Sequence, residues 1–130
     1  MELYGLRWML ERLNEIVGRD RDESSQQDDT YDYAVTSLRR ALNETEIYYG
    51  TWREANQRDR QKEEELSRMW LEVARELRSV DPELSKRCEL KARYWADPVG
   101  WPSEQLMDLK ITIQEMHDAL DKLLADQDRD

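Results

Sequence analysis

The sequence predicts an all-α fold: a compact helical bundle of about five helices, four long and one short, with no β-sheet. Apolar residues recur at alternating steps of three and four along most of the chain, the stripe of amphipathic helices. No stretch alternates apolar and polar residues between turn signals, so strands have no support. Two corners, Val80-Asp81-Pro82-Glu83 and Asp97-Pro98-Val99-Gly100-Trp101-Pro102, stand where helical patterns stop.

Taken in order, Leu3, Leu6, Leu10, Leu13 and Val17 form a heptad-like seam closed by Gly18, which predicts a helix over residues 2–17. Residues 19–30 contain no apolar side chain and read as a polar linker ending in the capping pair Asp29-Thr30. From Tyr31, the positions Val35, Leu38, Leu42, Thr45, Tyr49 and Trp52 continue the steps of four and three, the longest pattern in the chain. Gly50 either ends this helix or is tolerated inside it, at about 1 kcal/mol relative to alanine. Residues 56–65 again offer nothing to bury and predict a loop.

Residues 66–101 hold three of the five tryptophans and the only cysteine. Leu66, Met69, Trp70, Val73, Ala74 and Leu77 line one helix face, expected to offer a seam to the preceding helix and to the last one. Asp81 then suits an N-cap, Pro82 the first helical position and Glu83 the positive end of the dipole. The helix that follows carries Leu84, Cys88, Ala92 and Trp95 on one line, which makes a helical hairpin with an aromatic end. Finally Ser103 caps a helix in which Leu106, Leu109, Ile113, Met116, Leu120 and Leu123 form the seam, with residues 126–130 frayed.

The 130 residues are sized for one domain, 1–130, able to bury roughly two thirds of the unfolded surface. Leu, Ile and Val number only 25, there is no Phe and the net charge is −10, so the five Trp, six Tyr and five Met must carry the core. No segment has the order of a signal peptide or approaches a membrane span, and one Cys makes no internal disulfide. A soluble, cytoplasmic protein is expected. Thirty acidic residues against 15 Arg and 5 Lys disfavour nonspecific nucleic-acid binding.

Chemistry-bearing residues are few. His117 is the only histidine, so a conventional general base or imidazole metal ligand must be that residue. Beside Met116 and Leu120 it reads as a boundary histidine, and Gln114 stands where a di-iron Glu-x-x-His pair needs Glu. Small helical RNases of the HEPN class resemble the chain in size and class. Their pattern of Arg, four to six residues, then His meets Lys110, Ile111 and Thr112 here, so the resemblance carries no activity. Cys88 reads as an inert buried thiol, and Asp28-Asp29 and Glu63-Glu64-Glu65 as solvated charges.

One stretch remains as a recognition surface: Lys86, Arg87, Lys91, Tyr94, Trp95 and Trp101, where basic and aromatic residues interleave. The expected function is a non-enzymatic interaction or regulatory module whose partner is another protein or a second copy, with no cofactor, metal or membrane. The alternatives are a small hydrolase or nuclease using His117, and a nucleic-acid accessory domain acting through the basic helix.

Overall fold

The computed structural model describes the backbone of residues 23–128 and the side chains of residues 29–126. Within that span the fold is all-α and compact, without a strand. Helix α1 covers Glu23–Ala55, α2 Arg60–Leu77, α3 Pro82–Ala96, α4 Ser103–Asp108 and α5 Ile113–Asp128, with a 3₁₀ turn at Pro98–Gly100. The helix expected over residues 2–17 lies outside the described residues, and no described helix is long and apolar enough to cross a membrane.

The Asp81-Pro82 corner forms for the reasons read in the sequence: the Asp81 carboxylate accepts from the Leu84 amide at 3.0 Å, and Pro82 opens α3. From this corner α3 returns antiparallel along α2. Ser67 Oγ donates to the Ala92 carbonyl at 2.7 Å, and Ser85 Oγ to the Ala74 carbonyl at 2.5 Å, tying the hairpin at two levels. Helix α1 packs across α2, where Trp70 Nε1 donates to Thr45 Oγ1 at 3.0 Å and Thr45 Oγ1 donates to the Ala41 carbonyl at 2.7 Å. Helix α5 lies along α1, with Tyr31 donating to the Leu123 carbonyl at 3.2 Å. The seam expected between α2 and the last helix is therefore made by α1 instead. One core joins the helices, with Leu38, Leu66, Trp70, Leu77, Trp95 and Met116 fully buried in it.

Four boundaries differ from expectation. Residues 23–30 belong to α1 rather than to a linker, because Glu and Gln are good helix formers and acidic residues suit a helix N-terminus. The loop expected over 56–65 shrinks to its first residues: Asp59 accepts from the Lys62 amide at 3.2 Å and starts α2 at Arg60. The last helix is split, since Lys110 adopts φ 58° in the left-handed region and Thr112 starts a new helix. Thr112 Oγ1 accepts from the Glu115 amide at 3.2 Å and donates to the Glu115 carboxylate at 2.9 Å, the spacing of a capping box. Helix α5 continues to Asp128, into the stretch expected to fray. Gly50 sits inside α1, which runs on for another turn.

Candidate functional site

The most densely bonded polar group in the described fold is Glu63, which stands on the first turn of α2 and is 0% exposed. A carboxylate with no access to water survives only with partners. Arg58 supplies a two-pronged pair, Nε at 2.9 Å to one carboxylate oxygen and a terminal nitrogen at 2.7 Å to the other. Tyr48 donates from α1 at 2.5 Å, and Arg60 adds a contact at 3.0 Å. The same Tyr48 oxygen accepts the Asp59 amide at 3.1 Å. Burial alone would push the Glu63 carboxyl up; the Arg58, Tyr48 and Arg60 hydrogen bonds outweigh it and hold the group at about 2. Glu63 is thus not part of a solvated run, as the sequence suggested, although Glu64 and Glu65 are exposed.

Arg60 links this network to α3, donating to the Ala96 carbonyl at 2.8 Å at the negative end of that helix. Beside it stand the aromatic rings. Tyr48 meets Trp95 edge-on at 5.5 Å, Tyr49 lies 5.4 Å from Trp95, and Tyr94 joins Trp95 at 4.9 Å and Trp101 at 6.3 Å. Burial pushes the hydroxyls of Tyr48, Tyr49 and Tyr94 up, so all three stay protonated and none is a base at neutral pH.

This arrangement corrects the surface expected between Lys86 and Trp101. Trp95 and Tyr94 are buried in the core, and Lys91 is 1% exposed, its ammonium 5.2 Å from the Tyr94 ring and 5.9 Å from the Trp95 ring. They face inward because α3 must bury one full side against α2 and the aromatic cluster, and that side includes every third or fourth residue from Leu84. Burial lowers the Lys91 ammonium to about 8, with only the Cys88 thiol acting the other way. Arg87 is engaged structurally: its Nε and a terminal nitrogen donate to the Lys110 carbonyl at 3.0 and 2.8 Å, fixing the break before α5. Trp101 is half-buried and Lys86 exposed, so the basic and aromatic residues do not form a continuous face. Cys88 is buried, and burial pushes its thiol well above the ordinary range.

His117 has the partner that helical spacing could not show. Its Nε2 meets the carboxylate of Glu46, 71 positions away on α1. Glu46 in turn lines an open groove of about 800 Å³ with Tyr49, Trp52, Arg53, Asn56 and Ile113. The groove lies between the last turns of α1 and the start of α5 at Ile113. Trp52 stacks on Tyr49 at 6.5 Å and keeps one wall aromatic. Arg53 is exposed and makes no ion pair among the described residues. The spacing places Tyr49 and Trp52 on the core line; the exposed Glu46 and Arg53, three and four residues from Tyr49, are the available signal of an edge. Among the described residues no three His, Cys, Asp or Glu side chains gather as metal ligands.

Comparison with protein-family models, with curated proteins and with solved structures finds no match for this chain.

Proposed function

We propose that the chain is a non-enzymatic protein–protein interaction module whose binding face is the groove at the end of α1. The single observation that supports it most is this groove, with an aromatic wall of Tyr49 and Trp52, an apolar floor at Ile113 and opposite charges at its rim. Such a concave, half-apolar site with few polar groups suits the apolar face of a partner helix. The other strongly perturbed groups, Glu63, Lys91 and Cys88, are shut inside and serve packing. Panning a displayed library of amphipathic helical peptides tests the reading. Wild type should retain sequences that Arg53→Glu binds about tenfold more weakly, a loss of about 1.4 kcal/mol. Peptides indifferent to Arg53, or no enrichment, would count against the groove.

One observation favours a second reading, a hydrolase built on His117: the imidazole meets a carboxylate that lines the groove. Against it, Glu46 is exposed and His117 is only half-buried, and no hydroxyl or thiol among the described residues is bonded to His117. A hydrolase predicts turnover of simple ester or phosphodiester substrates that His117→Ala lowers about a hundredfold or more. Equal rates from wild type and variant would remove it.

A further inference from the structure

We propose that a second copy of this chain docks beside the groove, pairing the two α1 helices antiparallel about a two-fold axis that passes between Tyr49 and Gly50. The inference rests on the interaction-module reading and names the partner. It begins with Gly50. A glycine inside a helix is less favourable than alanine, and nothing among the described residues requires it here, because a Cβ at this position would meet none of their atoms within 4 Å. The missing side chain is explained by an approach from outside: the axis sets Gly50 against Gly50 of the partner subunit, where two backbones come close.

Charge gives the register. Glu46 and Arg53 lie on one stripe of α1, the same number of residues to either side of the axis, and both are exposed. In an antiparallel pair each residue faces the one equally far beyond the axis, so Glu46 meets Arg53 of the partner subunit, and the contact occurs twice. His117 engages one Glu46 oxygen, which leaves the other for this pairing. Arg53 has no competing ion pair among the described residues. Apolar surface flanks the stripe on both sides, with Tyr49 and Trp52 in the groove and Ile47 52% exposed. A contact limited to the last turns of one helix falls below the roughly 800 Å² per partner of standard interfaces, so the dimer is weak and concentration-dependent.

Sedimentation velocity of the full chain from about 10 μM to about 1 mM tests this. Wild type should pass from monomer to dimer. Glu46→Arg and Arg53→Glu should each weaken association about tenfold, because two attractive contacts become repulsive, and the combined variant should recover most of the loss. Gly50→Ala should raise Tm by a few degrees and yet weaken the dimer, a combination that a purely local role for Gly50 does not produce. Wild type that stays monomeric throughout, a dimer indifferent to both single reversals, or Gly50→Ala with unchanged association would overturn the proposal. Groove-dependent peptides recovered alongside any of these would leave the interaction module standing and refute only the second copy as its partner.

Discussion

Glu63→Ala is expected to destabilise the fold by about 3 to 5 kcal/mol, the usual result of removing one partner from a buried ion pair. The loss follows from what stays behind: Arg58, Arg60 and the Tyr48 hydroxyl all converge on that carboxylate, and of these Arg60 also holds the Ala96 carbonyl. Glu63→Gln retains shape and one acceptor and should cost less. The same group sets the acid limb of stability. Its native value of about 2 lies below the 4.5 of an ordinary glutamate, so the native state binds its proton later than the unfolded state. Its contribution, about 3 kcal/mol from the shift, is fully present above pH 4.5 and drains away as pH falls towards 2. Chemical denaturation of wild type and Glu63→Gln across that range measures it. The wild-type curve should fall more steeply, and parallel curves would contradict the assignment.

Lys91→Met is expected to act in the opposite direction, stabilising the protein by about 1 to 3 kcal/mol at neutral pH. The methionine keeps the packing of the aliphatic stem and removes a charge held almost without water between Cys88, Tyr94 and Trp95. Attraction to the two rings offsets only part of the desolvation, since the ammonium still falls from 10.5 to about 8. Below pH 8 native and unfolded chains both carry the charge, and the wild type bears the whole cost. Between 8 and 10.5 the native state loses its proton first, so wild-type stability rises with pH. The advantage of the variant should therefore narrow across that window, as urea midpoints at pH 7 and pH 10 would show. A gain that is the same at both values would mean that Lys91 reaches water.

Both effects arise where sequence reading went astray, and for one reason. Periodicity reports which side of a helix is buried only when the buried residues are apolar. Glu63 and Lys91 occupy inward positions on α2 and α3, but their charge disguised them as surface, and only the partners supplied by Tyr48, Arg58 and Trp95 make the positions tenable. Residues 23–30 and 60–65 read as loops by the same logic, and both are helical. Capping chemistry placed the hairpin corner and the start of α3 at Asp81-Pro82, whereas Asp29-Thr30 lie inside α1 and Ser103 follows Pro102 as the first residue of α4 without capping it. Thr112-x-x-Glu115 carried an equally legible start for α5, hidden because Leu109 and Ile113 continue an apolar spacing across the break at Lys110. The pairing of His117 with Glu46 had no local signal, since it joins elements at opposite ends of the described chain.

With Lys91, Tyr94 and Trp95 of α3 in the core, the proposed recognition face is the far end of α1. Amide correlation spectra of the labelled wild type, recorded while a groove-selected peptide or further protein is added, place the contact directly. Shifts should concentrate at Glu46, Gly50, Arg53, Ile113 and His117, with the outer face of α3 unchanged. Shifts centred instead on Lys86, Arg87 and Trp101 would contradict the account.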